Sequence, residues 1–385
     1  MRRLLGHLPS LLIVSILYVG CSSQPEVGIP DHIKKLDSLT IYSSDEPPTF
    51  DMILQRKQTF SENDTLALGT IADVAVDDSN RVFLADADQH TIHVFDADGR
   101  YITRFGREGK GPGEFIKFSR NVFTVRDSLL YVWGSELERI SVFSLANFSN
   151  TATYSLVPRN FDDIDIRGIE MAMQGIDDVR AGDTFLVAFF IPPIFDFDNP
   201  GLYYFLVDKE AQFLSGNILE LDAPKFFEAG SVFRHPLVAI GVDDRFFTAW
   251  TEDFLIKIYG PKGNYQQAFY YPFENTPLNE DTYLDQYTDI PSMHDRIKDM
   301  DLPPTWPALD EMLIDDQNRL WISTIVKDLD VYRWWVLEEN GKLLARFTWP
   351  RNREIEVIKN GYVYTIEVNK KTGLERVVRY EINMR

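Results

Sequence analysis

The chain has 385 residues, with 39 lysines and arginines against 59 aspartates and glutamates, a formal net charge of −20. This acidic excess argues against nucleic-acid binding and against attachment to anionic lipid by surface charge, whereas cationic ligands, divalent metal or a saline habitat remain compatible with it. Only one cysteine is present, so an exported form of this chain would have no internal disulfide and would depend on burial for its stability.

The first 21 residues have the pattern of a lipoprotein export signal. Arg2 and Arg3 precede an apolar run from Leu11 to Val19, which is shorter than the roughly 20 residues that a membrane span requires. Cys21 follows, where a lipoprotein signal peptidase would leave it as the lipidated amino terminus. Ordinary cleavage a residue or two later, with no role for Cys21, is the alternative. The predicted organisation is a signal peptide at 1–20, a tether at 21–36 and a single domain at 37–385.

The stretch from Ile71 to Phe115 consists of four short apolar segments separated by polar turns and closed by a glycine-rich loop. Its segments are rich in good strand formers, and the aspartates, asparagines and glycines between them suit tight turns. Degenerate copies recur along the chain, and the best internal match lies between Val76–Leu84 and Ile314–Ile322. Radial repetition of one meander predicts an all-β fold, a six-bladed β-propeller of four-stranded antiparallel blades.

Six strand–turn–strand units follow one another, at about 70–105, 121–157, from 175 onward, 235–273, 307–349 and 353–383. The third contains an insertion, and residues 272–307 form a second insertion between the fourth and fifth blades. Only three strands are visible in the sixth unit, which would leave an unpaired edge. We expect Met52–Phe60, alone or together with residues 39–42, to supply the missing outer strand and close the ring.

The run Phe105–Phe115, FGREGKGPGEF, follows Val94–Gly99, VFDADG, and together they resemble an NHL-type repeat. The chain is similar in this respect to the six-bladed propeller lipoproteins common in Bacteroidetes-like bacteria, a fold class also called TolB-like. The resemblance is strong over residues 70–118 and fair over 307–347. It implies a six-bladed propeller but no particular activity, because most such lipoproteins have none assigned.

Several motifs have a structural explanation beside a functional one. The loop Gly106–Gly113 lacks the Ser or Thr after its lysine and the following helix that a phosphate-binding loop needs, so a structural inter-blade loop is expected. Asp96–Gly99 is expected to be a hairpin turn, while Asp196–Asn199, inside the insertion of the third unit, is left open between a turn and a calcium site. His90 and His93 are expected at the rim, in solvent.

The loops that lead into the innermost strands of a propeller gather around one mouth of its central channel, where ligands commonly bind. The candidate ligand or partner contacts at these positions are Asp73, Arg120, Asn121, His235, Trp306 and Glu354. A mouth with Arg120, His235 and Trp306 would suit an acidic or sugar-like ligand, and a structural plug of the channel is the alternative. The insertion 272–307 is a candidate lid over this mouth, or else an irregular cap.

These observations predict a non-catalytic binding scaffold in the cell envelope, anchored by a lipid, with the outer membrane as the expected location. Its partner would be a protein or a small ligand at one propeller face, with no nucleic acid. No cofactor is required, although a divalent cation such as calcium would fit. Gly-x-Ser-x-Gly, His-Glu-x-x-His and Cys-x-x-Cys motifs are absent from the sequence. The alternative is a metal-dependent, lactonase-like hydrolase or lyase with its site at the channel mouth.

Overall fold

A computed structural model describes residues 28–61, 68–156, 161, 164, 166, 173–180, 182–191, 201–222, 234–285, 297–298 and 302–385. The signal sequence with Cys21 and the Asp196–Asn199 motif lie outside these ranges. Within them, no helix combines the length and apolar character needed to cross a membrane.

Almost all regular structure in the described ranges is β-strand. Helical structure in these ranges is short and includes α1 (Asp31–Lys34), a 3₁₀ turn at Ser135–Leu137 and α2 (Glu280–Leu284). The strands are β1 (Leu39–Ile41), β2 (Met52–Phe60), β3 (Ile71–Val76), β4 (Val82–Asp86), β5 (Thr91–Phe95), β6 (Tyr101–Phe105), β7 (Phe123–Arg126), β8 (Leu129–Gly134), β9 (Arg139–Ser144), β10 (Asn150–Ser155), β11 (Met173–Arg180), β12 (Thr184–Ile191), β13 (Gly201–Val207), β14 (Leu219–Asp222), β15 (Pro236–Ile240), β16 (Phe246–Trp250), β17 (Leu255–Tyr259), β18 (Tyr265–Tyr270), β19 (Leu309–Ile314), β20 (Leu320–Ile325), β21 (Val331–Leu337), β22 (Leu343–Pro350), β23 (Arg353–Lys359), β24 (Tyr362–Val368) and β25 (Glu375–Met384).

These strands form six sheets, which are the six blades of a propeller. Blades one to five consist of β3–β6, β7–β10, β11–β14, β15–β18 and β19–β22, and blade six consists of β23–β25 with β2. Neighbouring strands within each of these four-stranded sets are antiparallel. The fold class predicted from the repeats is therefore confirmed.

Blades pack face to face, so their middle strands are covered on both sides. All five residues of β4 and all five of β5 are buried. His93 on β5 is fully buried, with its Nε2 3.4 Å from Oδ2 of Asp86. The expectation that His93 lies in solvent was wrong, because the third strand of a blade is enclosed between the adjacent blades.

The recurring acidic turns are hairpins held by their own carboxylates. Oδ1 of Asp77 accepts hydrogen bonds from the backbone of Ser79 and Arg81 at 2.9 Å, and Asp315 is bonded in the same way in blade five. Oδ1 of Asp96 accepts from the amides of Asp98 and Arg100 at 2.9 and 2.8 Å. Since these oxygens satisfy turn amides, the Asp96 motif is a hairpin turn, and the match between blades one and five extends to their hydrogen bonds.

The ring is closed by β2, which pairs antiparallel with the last strand, β25. Their register runs from Met52 opposite Met384 to Phe60 opposite Val377. Phe60 is fully buried, and its ring lies 5.9 Å from that of Phe95 in blade one. The amino-terminal strand thus completes blade six and packs against blade one, as the unpaired edge of the sixth unit predicts.

The suggestion that residues 39–42 also join blade six was wrong. Strand β1 pairs in parallel with β18, the outer strand of blade four, with Leu39 opposite Ala268. Ile33 of α1, inside the predicted tether, is fully buried against the same blade near Tyr270. The outer edge of blade six is already occupied by β2, whereas Leu39 and Ile33 pack against apolar residues of blade four.

The described part of the insertion 272–307 has a small core of its own. Helix α2 begins with a capping box, in which Asn279 Oδ1 accepts a hydrogen bond of 2.8 Å from the Thr282 amide. Tyr283 and Trp306 are buried together, with ring centroids 5.8 Å apart, and they pack against Ile325 of blade five. This part of the insertion is therefore a packed cap on blade five.

Candidate functional site

Four of the innermost strands in the described ranges, β3, β11, β19 and β23, contain a β-bulge. A bulge adds an unpaired residue and redirects the neighbouring side chains. The acids at or beside these bulges are Asp73, Asp177, Asp178, Asp310, Glu311 and Glu356. Polar residues in strands that surround the channel axis are therefore placed by local irregularities in the ladder.

A cavity of about 270 Å³ lies between blades five and six, at the end where their innermost strands begin. We call it the mouth cavity. Its acidic lining consists of Asp310, Glu311, Glu354 and Glu356. Arg120, in the loop that leads into blade two, reaches the same cavity. Residues from three blades therefore converge at this opening.

Arg120 and Glu354 form the outer part of the mouth cavity. Nη2 of Arg120 donates a hydrogen bond of 2.6 Å to Oε2 of Glu354, and the two side chains are 69% and 49% exposed. An ion pair this exposed contributes little to stability, typically about 0–1 kcal/mol. Both groups can therefore exchange this contact for one with a bound molecule at small cost to the fold.

Glu311 and Glu356 lie deeper. Burial, together with the neighbouring acids Asp310 and Glu356, raises the pKa of Glu311 to about 8. Burial also raises the pKa of Glu356 to about 7, although the Arg120 guanidinium acts in the opposite direction. At pH 7 Glu311 is therefore mostly protonated and Glu356 about half protonated, so each carboxyl can donate as well as accept a hydrogen bond.

Asp310 lies beside Tyr332 and Arg351. Burial raises the pKa of Asp310, while a hydrogen bond from the Tyr332 hydroxyl and the charge of Arg351 oppose this rise. The Arg351 guanidinium carbon is 4.2 Å from the centroid of the Tyr332 ring. These contacts fix an acid, a ring and a cation together on the inner wall of the mouth cavity.

Asp73 connects the innermost strands of blades one and two. Its Oδ2 accepts backbone hydrogen bonds from Val122 and Phe123 at 2.7 and 2.8 Å, and its Oδ1 accepts from Val74 at 2.7 Å. Burial raises its pKa to about 6 in spite of these bonds. Both oxygens of Asp73 are thus engaged, and its contacts position the segment that begins two residues after Arg120.

The remaining sequence candidates lie in different surroundings. Asn121 is exposed and has a φ of 56°, a left-handed conformation that asparagine tolerates. His235 is half-buried; its amide donates to Oγ1 of Thr251 at 3.1 Å, and its charge lowers the pKa of Asp310. Trp306 is only 2% exposed and belongs to the core of the insertion. Their roles as ligand contacts stay predictions, and Trp306 is placed for packing.

The structure therefore brings Arg120, Glu354 and Asp73 into one region. The deeper acids of the mouth cavity were missed by sequence reasoning. Their signal was the pair Asp310–Glu311 in the inner strand LDEMLI, and Glu356 between the apolar residues Ile355 and Val357 of REIEVIK. Within the described ranges, no group of three or more His, Cys, Asp or Glu side chains is arranged to hold a metal ion.

Comparisons with known proteins agree on the architecture. The DUF5128 family, described as a 6-bladed beta-propeller, matches residues 60–178. A candidate exported protein (BF0058) from Bacteroides fragilis is 12% identical with a TM-score of 0.50, covering 90% of this chain and 99% of its own. A duf4221 family member from Bacteroides vulgatus is 8% identical with a TM-score of 0.55, covering 88% and 99%. No curated protein matches this chain. At these identities the solved structures show the fold alone.

Proposed function

We propose that this chain is an exported, lipid-anchored propeller of the NHL-repeat, TolB-like type that binds a small ligand or a partner at its channel mouth without catalysing a reaction. The observation that carries this proposal is the exposed Arg120–Glu354 pair above the mouth cavity. It supplies a donor and an acceptor that the fold does not need for stability. The six-bladed fold itself hosts many functions, so it supports the scaffold role only by analogy.

The binding role is tested by Arg120→Ala. We expect this variant to bind its ligand at least roughly tenfold more weakly, because a hydrogen bond from a charged group contributes about 1.5–3 kcal/mol. Its melting temperature should stay close to that of the parent chain, since the pair is exposed. The measurement is a ligand-observed NMR screen of neutral, acidic and basic small molecules and short peptides.

Lys117→Ala is the matched control for that screen, because Lys117 is an exposed cation of the same loop. It should keep all binding. Equal loss in both variants would indicate a non-specific effect of charge, and retention of binding in Arg120→Ala would remove Arg120 from the site. A drop of several degrees in the melting temperature of Arg120→Ala would assign the pair to a structural plug.

Lipid anchoring is tested by Cys21→Ser. The export signal supports modification at this residue, and the resemblance to propeller lipoproteins points the same way. In a diderm bacterial host fed an alkyne analogue of palmitate, the parent chain should incorporate label in the membrane fraction, and Cys21→Ser should incorporate none. Ser22→Ala should be labelled like the parent chain. Label that persists in Cys21→Ser would contradict anchoring at this position.

The alternative function is a metal-dependent hydrolase or lyase at the channel mouth. The many acids around the inner strands motivate it, and calcium is the cation they would suit. For a binding scaffold, we expect EDTA or added calcium to leave the melting temperature unchanged and elemental analysis to find no stoichiometric metal. A stoichiometric metal together with a large loss of stability on chelation would favour the enzyme.

A further inference from the structure

Two adjacent tryptophans of blade five differ in how their ring nitrogens are satisfied. Trp334 and Trp335 alternate across β21, so they lie on opposite faces of the blade. Nε1 of Trp335 donates to Oγ1 of Thr324 at 3.2 Å. Trp334 is only 2% exposed and lines the mouth cavity, yet its Nε1 has no hydrogen-bond partner in the described part of the protein.

A second unpaired donor lines the same cavity. Nη2 of Arg351 is buried and also has no hydrogen-bond partner among the described residues. A buried donor without an acceptor costs about 1–3 kcal/mol, so two around one cavity require an explanation. Neither nitrogen has appreciable exposed surface, so a small shift of its side chain would let an ordered water or a ligand oxygen reach it.

The charges around the cavity disfavour an anionic or a cationic ligand. Glu354 is paired with Arg120, and Asp310 faces Arg351, so these charges are already opposed. An acidic ligand would have to displace Glu354 from Arg120, or Asp310 from Arg351, and would leave that acid without its cation.

A cationic ligand would find two of the three aromatic rings that line the cavity already in contact with a guanidinium group. Arg351 lies 4.2 Å from the ring centroid of Tyr332, and Arg353 lies 5.6 Å from that of Trp349. Both guanidinium groups would repel an incoming ammonium, and they occupy the surfaces that would otherwise attract it.

From these contacts we propose that the mouth cavity binds a neutral polyhydroxy compound, of the size and class of a monosaccharide, whose oxygens accept hydrogen bonds from Trp334 and Arg351. This rests on the proposed binding function and names its ligand class. Hydroxyl groups both donate and accept, which matches a lining that presents unpaired donors beside carboxyl groups. The volume of about 270 Å³ lies just below the roughly 300–1,000 Å³ of pockets for drug-sized molecules, which favours a single sugar ring.

The test compares sugars that share a ring and differ in charge. Isothermal titration of the purified full chain at neutral pH would use glucose, galactose and N-acetylglucosamine as neutral probes, with glucuronate and glucosamine as charged ones. We expect at least one neutral sugar to bind, and glucuronate and glucosamine to bind more weakly. Stronger binding of a charged sugar, or no binding by any neutral sugar, would overturn the proposal.

Trp334→Phe and Trp335→Phe form a matched pair for the same titration. Trp334→Phe removes the unpaired N–H and, like Trp335→Phe, replaces the indole by a smaller ring; it should weaken sugar binding roughly threefold to tenfold. Trp335→Phe removes the bond to Thr324, so it should lower the melting temperature and leave the dissociation constant unchanged. Equal affinities for the parent and Trp334→Phe would mean that water, and no sugar, satisfies this nitrogen.

Arg351→Lys provides a second variant in case Trp334→Phe fails to fold. It keeps the positive charge and removes Nη2, so it should also weaken sugar binding; unchanged affinity would count against the proposal. The broader screen with Arg120→Ala distinguishes a wrong ligand class from a wrong binding function. If sugars fail but another compound binds in an Arg120-dependent way, the ligand class is wrong and the binding function stands. If no compound binds, both are wrong.

Discussion

Replacing Asp73 by alanine is expected to lower the free energy of unfolding by roughly 2–4 kcal/mol at about pH 5. Oδ2 of Asp73 accepts the backbone hydrogen bonds of Val122 and Phe123, and the alanine variant would leave both donors unsatisfied between blades one and two. Urea denaturation measures the loss. Hydrogen exchange should localise it, because the amides of Val122 and Phe123 should lose protection first.

The effect of Asp73→Ala should decrease as the pH rises. Burial raises the pKa of Asp73 to about 6, above the roughly 3.9 of an exposed aspartate. An acid whose pKa is raised in the folded state stabilises the fold less as the pH rises through that interval. The difference in the free energy of unfolding between the parent chain and Asp73→Ala should therefore narrow by about 1 kcal/mol between pH 5 and 7.

Asp96→Ala is the control for Asp73→Ala, because its carboxylate also accepts two backbone bonds but does so in an exposed hairpin. We expect Asp96→Ala to lower the free energy of unfolding by less than Asp73→Ala does, since water can replace the lost acceptor. Equal losses in the two variants would show that the link between blades one and two is not the source of the effect.

Glu311→Gln is expected to stabilise the protein at alkaline pH. Burial raises the pKa of Glu311 to about 8. The folded chain therefore keeps a proton that the unfolded chain releases at pH values above about 4.3, the ordinary pKa of a glutamate. The parent chain should therefore lose stability as the pH rises from about 5 to 8, on the order of 3 kcal/mol from this group. Glutamine cannot ionise and avoids that loss.

This prediction fixes the direction in which the stability difference changes with pH. Glu311→Gln should be close to the parent chain at about pH 5 and clearly more stable at about pH 8, measured by urea denaturation across the range. Glu210→Gln, at an exposed turn of blade three, should follow the parent chain at every pH. A Glu311→Gln variant that is less stable at pH 8 would mean that the carboxylate is ionised and paired in the folded protein.

The fold could be predicted because its signals are local and repeated. Each hairpin carries its own turn chemistry, such as Asp77 and Asp315, and the missing strand of blade six required a strand elsewhere. The outer strand of blade three was harder to identify. Leu219–Asp222, LELD, is only four residues long and contains no β-branched or aromatic residue, so its strand signal is weak.

The candidate site could be predicted only in part. Arg120 and Glu354 were found because residues that precede inner strands share one end of the channel. Trp334 and Arg351 could not be found in this way, since their significance lies in nitrogens left unpaired by three-dimensional packing. His93 shows the same limit, because sequence alone does not reveal which residues of a hairpin are enclosed between neighbouring blades.

The most direct measurement is a crystal structure of the chain soaked with the tightest-binding compound from the Arg120 screen. The compound should lie in the mouth cavity, within hydrogen-bond distance of Nε1 of Trp334 and of Arg120 or Glu354. A compound bound at the opposite face of the propeller, beside the Asp77 and Asp315 turns, would contradict the assignment of this mouth as the binding site.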